Sequence, residues 1–166
     1  MGNWHPDTET WNSLIVNDDR KSDISRPYPF CLAYALDKSS DDLGHTSEWI
    51  AEWKWDGIRG QIIKREKKLF VWSRGEENLT ERFPELEELI NFIPDGSVLD
   101  GELVAWNGEQ PLNFNSLQKR IGRKKVSKSL IESVPVILIA YDLLEFKGKD
   151  IRSQKFNLRR SKLETL

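Results

Sequence analysis

The segment from residue 52 to residue 60 carries the side chains best suited to chemistry in this sequence. Lys54 stands two residues after Glu52 and two residues before Asp56, and Arg59 follows closely. A lysine amine attacks an electrophile only after it loses its proton, which a neighbouring guanidinium or metal ion favours and uncompensated carboxylates oppose. The segment therefore indicates a nucleophilic lysine that works beside Arg59 and a metal-binding carboxylate.

An ordinary amphipathic strand explains the same spacing. Alternate residues of a strand share a face, so the charged residues would point one way while Trp53 and Trp55 pointed the other way, onto a core. The spacing by itself favours this structural explanation. The choice between a strand face and a nucleophile therefore depends on the rest of the chain.

Three further polar motifs follow on predicted strands or at their ends. Arg74 lies in a Ser-Arg-Gly sequence, Glu102 in Asp-Gly-Glu, and Tyr141 in Ala-Tyr-Asp-Leu-Leu. Each has an ordinary explanation, namely a salt bridge at a hairpin end, a strand-end charge beside a glycine bulge, and an aromatic core residue. More informative than any single motif is the sequence of motifs along the chain, which runs from Lys54 through Arg74 and Glu102 to Tyr141.

Taken in that order, the motifs resemble those of the covalent nucleotidyltransferases, which are the ATP-dependent DNA ligases, RNA ligases and mRNA capping enzymes. Residues 54–57 read Lys-Trp-Asp-Gly, which is similar to the Lys-x-Asp-Gly motif of that group. The peptide Pro-Phe-Cys-Leu-Ala at residues 29–33 and the helical segment 114–123 resemble bacterial ATP-dependent DNA ligases more closely. The resemblance is to the N-terminal part of their adenylation domain and extends from Pro27 to Leu166.

The resemblance implies a three-step reaction with ATP, Mg²⁺ and nicked double-stranded DNA. Lys54 would attack the α-phosphate of ATP, release pyrophosphate and carry AMP as a phosphoramidate. The AMP would then pass to the 5′-phosphate at a nick, and attack by the 3′-hydroxyl would release AMP and seal the strand. Such sealing serves DNA repair, recombination and replication.

The resemblance also implies roles for the other site residues. Glu52 would contact the adenine edge, and Tyr141 would stack on adenine as an aromatic platform. Arg59 would hold the ribose and phosphate region, and Arg74 would hold a phosphate of the nucleotide or of the nick, since guanidinium groups bind phosphate in a planar, bidentate manner. Glu102 would bind the ribose hydroxyls or help to place the metal ion, and Mg²⁺ would stabilise the leaving pyrophosphate.

The elements that must position these residues are a mixture of strands and helices. β-Branched and aromatic runs predict strands, and apolar residues at a period near 3.6 predict helices. The predicted strands are 49–55, 60–64, 69–73, 98–106 and 136–144, with a turn at Lys67-Lys68, and the predicted helices are 80–93 (N-cap Thr80), 115–121 and 156–166. With the resemblance, this predicts an α/β (α+β) fold of the nucleotidyltransferase, ATP-grasp-like type, with mostly antiparallel sheets.

Residues 1–27 are predicted to be a lead-in or linker and residues 28–166 a partial adenylation domain. The sequence ends inside a predicted helix, which indicates a piece of a longer protein.

Composition limits the partners. The 166 residues carry 25 Lys and Arg against 27 Asp and Glu, a formal charge of −2, so no overall charge bias points to nucleic acid or membrane. Cys31 is the one cysteine, which excludes an intrachain disulfide and a Cys-rich zinc site. The longest apolar run, near residues 136–141, is far short of the about 20 residues that span a bilayer. We expect a monomer of the bacterial cytoplasm or nucleoid with no membrane partner.

The later part of the chain departs from the family pattern. The sequence has no Glu-Gly pair to supply the metal-binding glutamate of the next family motif, and Lys147-Gly148-Lys149 lies too early to be the late lysine pair. A following OB-fold domain is absent as well. We therefore expect that this chain alone does not seal nicks, and incomplete charge stabilisation at the phosphates argues against self-adenylation by it.

Two alternatives remain open at this point. An RNA ligase or a GTP-using capping enzyme would share the main motifs, and a nucleic-acid-binding module that has lost catalysis would bind nicked DNA without acquiring AMP. The basic run from Lys119 to Lys128 would either contact DNA phosphates or form an ordinary solvated surface. The acidic run from Glu76 to Glu88 is expected to face away from DNA.

Overall fold

Five antiparallel strands form one sheet in the computed structural model, which describes residues 23–123 and 125–166. The order across the sheet is β2-β1-β3-β4-β5, and every neighbouring pair is antiparallel. This confirms the predicted mixed architecture with antiparallel strands. The strands are β1 (Ile58–Arg65), β2 (Lys68–Ser73), β3 (Ser97–Ala105), β4 (Val136–Phe146) and β5 (Lys149–Asp150).

Helices of two kinds accompany the sheet in that part of the chain. The side chain of Asn113 accepts a hydrogen bond from the backbone N–H of Ser116 and so caps the first α-helix. None of the described helices is both long and apolar enough to pass through a bilayer. The α-helices are α1 (Phe114–Ile121), α2 (Lys128–Ser133) and α3 (Phe156–Leu163), and the 3₁₀ helices are Ser40–Leu43, Thr46–Glu48, Thr80–Arg82 and Pro84–Asn91.

The main hydrophobic core lies against one face of the sheet. The strand register places Ile62 opposite Leu99 and Leu99 opposite Leu143, so these buried side chains share that face. The 3₁₀ region contributes Phe83 to the same core, and α1 contributes Leu117. Burial of this face, at about 25 cal/mol per Å² of apolar surface, makes the sheet a firm support for the residues on its other side.

Polar residues occupy the opposite face of the central strands. In the register of β1 with β3, Arg59 lies opposite Glu102 and Gln61 lies opposite Asp100. Because successive residues of a strand point to opposite faces, these four residues lie on the side away from Leu99. The sheet therefore carries the main apolar core on one face, and on the other face these polar residues lie beside a smaller apolar cluster around Ile63.

The peptide that precedes the sheet covers part of the polar face. Gln61 exchanges two hydrogen bonds with the backbone of Tyr28, at 2.8 and 3.0 Å. The Tyr28 hydroxyl donates to Glu145, which also accepts from Arg65. Residues 1–22 of the predicted lead-in lie outside the described residues, and the boundary predicted after residue 27 stays a prediction.

The strand predicted over residues 49–55 was wrong, because this segment has no regular secondary structure. Trp53 is 84% exposed and Lys54 is exposed too, so the segment has no buried face to pack on a sheet. Aromatic residues favour a strand mainly where a pleated surface packs against neighbours. The segment is instead an accessible loop that leads into β1.

The helix predicted over residues 80–93 was wrong in type. Two 3₁₀ segments replace it, and the second begins at Pro84, which has no N–H to continue the hydrogen bonding of the first. Thr80 does not cap a helix, since its hydroxyl accepts from the backbone N–H of Val71 and donates to Asn78. Local side-chain hydrogen bonds have therefore outcompeted the helical period here.

Two smaller predictions also need correction. The turn between β1 and β2 lies at Glu66 and Lys67, one residue before the predicted position, and both have positive φ angles of 51° and 60°. The final helix α3 ends at Leu163, so the described chain does not end inside it. The other predicted strands and the helix at 115–121 are confirmed within a few residues of their predicted ends.

Candidate functional site

A cleft of about 870 Å³ lies where β1 begins and β2 ends. Its volume is in the range of about 300–1,000 Å³ that is typical of small-molecule sites. The structure brings the whole predicted set of site residues together here, although they come from five different segments of the chain. The predicted residues that line the cleft are Glu52, Lys54, Arg59, Arg74, Glu102 and Tyr141.

Lys54 lies in the loop before β1 and is exposed to the cleft. Its ammonium group makes no hydrogen bond or ion pair with any residue that the structure describes. Gly57 lets this loop approach β3, because a Cβ there would lie 2.3 Å from the carbonyl oxygen of Leu103 and 2.8 Å from Cγ of Glu102. The close approach holds the lysine loop against the strand that carries Glu102.

A buried carboxylate fixes the orientation of Arg59. The Nε and Nη2 atoms of Arg59 donate to the two carboxylate oxygens of Asp100, at 2.6 and 3.1 Å. Burial is the largest influence on the pKa of Asp100 and raises it, although the hydrogen bond from Arg59 acts in the opposite direction. A bidentate pair of this kind holds the guanidinium plane in one orientation at the edge of the cleft.

Tyr141 occupies a bulge in β4. Asp100 and Gly101 are adjacent on β3, but they pair with Asp142 and Ala140, which are two residues apart on β4. Tyr141 therefore has no residue opposite it. A bulge of this type re-aims a side chain, and here it explains how a residue inside an apolar run comes to line the cleft.

The side chain of Tyr141 contacts two other residues of the predicted site. Its hydroxyl donates to Oε2 of Glu102 at 2.6 Å, and the guanidinium carbon of Arg59 lies 4.8 Å from the centre of its ring. Burial raises the pKa of Tyr141 well above its usual value, and the hydrogen bond to Glu102 contributes in the same direction. The tyrosine is therefore a fixed hydrogen-bond donor with a cation against its ring, and the ordinary explanation of it as a core residue was wrong.

Arg74 lies exposed in the turn that follows β2. Its backbone N–H donates to the carbonyl oxygen of Arg59 at 2.9 Å, which ties this turn to β1. Its guanidinium makes no hydrogen bond or ion pair within the described ranges, so the salt bridge of the ordinary explanation is not formed with any residue there. The free guanidinium can therefore bind an anion in the cleft.

Two arginines of α3 contact the site, and sequence reasoning missed both. Arg159 donates from Nε and Nη2 to the two oxygens of Asp142 at 2.8 and 2.7 Å, and Arg160 donates from Nη1 to Oε1 of Glu52 at 3.1 Å. Adjacent basic residues on a helix indicate acidic partners, but the sequence does not say which ones. Asp100 was missed in a similar way, although it belongs to the same short motif as Glu102.

One residue of the basic run is buried. The side chain of Arg120 is 0% exposed, pairs with Glu85 through both carboxylate oxygens and donates to the carbonyl oxygens of Val134 and Arg82. The interpretation of the run as a surface was therefore wrong at Arg120, because this side of α1 packs on the 3₁₀ region. Lys124 lies outside the described residues. The exposed members of the run are Lys119, Arg123, Lys125 and Lys128.

Comparison with known proteins finds DNA ligases that are similar to this chain. The family model described as "ATP dependent DNA ligase domain" matches residues 31–166. A probable DNA ligase of Koribacter versatilis is 37% identical over 126 residues, which is 76% of this chain and 22% of that protein. A probable DNA ligase of Opitutus terrae is 37% identical over 119 residues, which is 71% of this chain and 12% of that protein. The chain thus spans less than a quarter of the length of either relative.

A solved structure agrees with these matches. The structure of a mycobacterial DNA ligase D complexed with ATP and MES is 30% identical, with a TM-score of 0.55. The likeness covers 69% of this chain and 35% of that one. The match extends the agreement from the sequence motifs to the arrangement of the strands.

Proposed function

The chain belongs to the ATP-dependent DNA ligase domain family, and from that premise we propose that its cleft binds ATP and that Lys54 becomes adenylated. The Nζ atom of Lys54 forms a bond to the α-phosphorus, and the bond from that phosphorus to the bridging oxygen of pyrophosphate breaks. The amine loses a proton to solvent, and pyrophosphate leaves. An oxygen of the 5′-phosphate at a DNA nick then attacks the adenylate phosphorus and breaks its bond to Nζ. The 3′-hydroxyl finally attacks the 5′-phosphorus, loses its proton to solvent and displaces AMP, which seals the nick.

The observation that carries this proposal is the convergence of the six predicted residues on one cleft. Nucleotidyl transfer depends on positioning and on neutralising charge at the phosphates more than on covalent chemistry by the protein. Arg59 is held by Asp100, Tyr141 is held by Glu102, and the exposed side chains of Lys54 and Arg74 line the same cleft. The arrangement thus combines oriented side chains with an exposed amine in one cleft.

Each part of ATP has a candidate contact in this arrangement. Adenine stacks on the ring of Tyr141 and meets the carboxylate of Glu52 at its edge. The ribose lies near Arg59 and Glu102, and Arg74 holds a phosphate. Stacking on an aromatic face and guanidinium contacts to phosphate are common contributions to nucleotide binding.

The carboxylates of the cleft suit a metal ion that binds together with the nucleotide better than they suit a permanently bound metal ion. No group of three or more His, Cys, Asp or Glu side chains suited to a metal occurs among residues 23–123 and 125–166. Mg²⁺ usually keeps several waters and is held by one or two carboxylates together with substrate phosphates. Glu102 fits that role as a single carboxylate, and Mg²⁺ bound there would neutralise charge on the leaving pyrophosphate.

We propose that the exposed basic residues beyond α1 contact the DNA backbone. Ile121 lines the cleft, and the exposed residues Arg123, Lys125 and Lys128 follow it by two, four and seven positions in the chain. Basic side chains that neutralise phosphates give affinity that falls with salt and does not depend on sequence. Replacing these three residues by Gln should weaken binding of the full-length protein to nicked duplex and flatten its salt dependence, and an unchanged salt slope would contradict the proposal.

The oligomeric state of the protein and its location in the cell are further proposals. We propose a monomer that acts in the bacterial cytoplasm or nucleoid, and the location is supported by the DNA substrate of the proposed reaction. Light scattering on the purified protein measures its mass in solution, and cell fractionation measures its location. A dimer, or a membrane-associated fraction, would contradict the respective proposal.

The experiment that tests the proposed function is nick sealing by the full-length protein with ATP and Mg²⁺. We expect a transient 5′-adenylated DNA strand and then a sealed product. An RNA ligase would instead seal a nick in an RNA duplex more efficiently, and a capping enzyme would use GTP. A binding module would retain the nicked duplex without forming either product, and that outcome would overturn the proposal.

A further inference from the structure

Arg160 of α3 joins two parts of the cleft through one guanidinium group. Its Nη1 atom donates to Oε1 of Glu52 and to the backbone carbonyl oxygen of Tyr141, each at 3.1 Å. Its Nε atom donates to Glu164 one helical turn later, at 2.8 Å. The Glu164 bond orients the guanidinium from its own helix, which leaves Nη1 directed at the loop and at β4.

The carboxylate of Glu52 depends on this contact for its orientation. Glu52 lies in a loop with no regular secondary structure, next to the 84% exposed Trp53. Within the described part of the chain, Arg160 is the one hydrogen-bond and ion-pair partner of its side chain. Neither a strand ladder nor packing therefore fixes the carboxylate, and the ion pair does so instead.

We propose that Arg160 is a positioning residue that holds Glu52 at the adenine edge and thereby selects ATP over GTP. The inference rests on the proposed function, in which Tyr141 stacks on the base and Glu52 meets its edge. Because Nη1 bonds both to the backbone of the stacking residue and to the carboxylate, it sets the distance between them. Arg160 itself does not line the cleft, so it acts on the base through Glu52 and the backbone of Tyr141.

The selection follows from the hydrogen-bonding groups of the two bases. A carboxylate only accepts hydrogen bonds. The exocyclic amine of adenine donates, whereas guanine has an accepting carbonyl oxygen at the same ring position. A carboxylate of fixed direction therefore favours adenine and repels guanine, while a carboxylate that moves freely does neither strongly.

The test compares ATP and GTP binding by the full-length protein and its variants, with Mg²⁺ present. Trp53 and Trp55 line the cleft, so quenching of tryptophan fluorescence reports binding. Arg160→Gln should raise the Kd for ATP up to about fivefold, as expected for loss of a partly exposed ion pair, and change the Kd for GTP less than about twofold. Arg160→Lys should recover part of the preference for ATP, since it keeps the charge.

A matched control is Arg152→Gln, which removes an arginine that pairs with Asp150 and does not line the cleft. It should bind both nucleotides as the wild-type chain does. An equal loss of ATP and GTP binding in Arg160→Gln, which leaves the ratio of the two Kd values unchanged, would indicate a purely structural role and overturn the inference. A wild-type protein with no preference for ATP over GTP would overturn it as well. A wild-type chain that binds neither nucleotide would instead contradict the proposed function itself.

Discussion

The hydroxyl group of Tyr141 donates a 2.6 Å hydrogen bond to Oε2 of Glu102 and so joins β4 to β3 at the cleft. The bulge at Tyr141 makes this contact available, because a residue in regular register would have a partner directly opposite on β3. The contact also holds the ring next to Arg59. One tyrosine therefore orders the face on which we place the base and the carboxylate that we place near the ribose.

Tyr141→Phe should weaken ATP binding modestly, and Tyr141→Ala should weaken it much more. Tyr141→Phe keeps the ring and loses only the hydrogen bond that orients it, so the Kd should rise by less than about fivefold, which corresponds to the about 1 kcal/mol that such a bond is worth. Loss of the ring also removes stacking, which contributes about 1–3 kcal/mol per base in single-stranded nucleic-acid sites. Isothermal titration with ATP measures both variants, and equal affinities for the two would contradict stacking on this ring.

Tyr28→Phe should change the alkaline stability of the chain. Burial raises the pKa of Tyr28, and the hydrogen bond to Glu145 raises it further, to about 12. A raised pKa in the folded state means that stability is fully present below the unfolded value of about 10 and is lost as pH rises toward 12. Urea unfolding followed across this range should show a steeper loss for the wild-type chain than for Tyr28→Phe. Parallel curves for the two chains would contradict the assignment.

Glu85→Ala should destabilise the fold strongly, because it leaves the buried guanidinium of Arg120 without its carboxylate. Removing one partner of a buried ion pair costs about 3–5 kcal/mol. The paired change Glu85→Leu with Arg120→Met should recover much of that loss, since it leaves no uncompensated charge. Urea midpoints measure all three chains, and a Glu85→Ala chain as stable as the wild type would contradict the burial of Arg120.

Gly57→Ala should reduce ATP binding about tenfold or more, because its Cβ would meet the Leu103 carbonyl and push the lysine loop away from β3. Gly122→Ala is the matched control, since its φ is −67° and the nearest atom to a Cβ there is 3.7 Å away. Fluorescence titration and thermal unfolding should separate the two variants. Equal ATP affinity in both would show that the close approach at Gly57 is dispensable.

Local patterns predicted the central strands well, because β1, β3 and β4 are rich in β-branched residues that pack on both neighbours. The same rule failed at residues 49–55, where tryptophans are abundant but the loop packs no face against the sheet. A different rule, the helical period with an N-cap, failed near Thr80, where the hydroxyl bonds to a neighbouring strand rather than to its own helix. Propensity describes the local conformation that a residue favours, whereas the structure of these two segments depends on contacts with residues elsewhere in the chain.

The site was predictable as a set of motifs but not as a set of contacts. The resemblance named Glu52 and Tyr141, yet nothing in the sequence pairs either of them with Arg160, which lies 108 residues from Glu52. Asp100 was equally invisible as the partner of Arg59, because the pairing depends on a register between two strands. The roles of the six predicted residues remain predictions.

The most direct measurement is the intact mass of the full-length protein after incubation with ATP and Mg²⁺, following removal of any bound AMP with pyrophosphate. We predict the addition of one adenylate to the wild-type protein and to Lys149→Ala, which removes an exposed lysine on β5. We predict none on Lys54→Ala and none with GTP. An unmodified wild-type protein, or an adenylate that persists on Lys54→Ala, would contradict the assignment of Lys54 as the nucleophile.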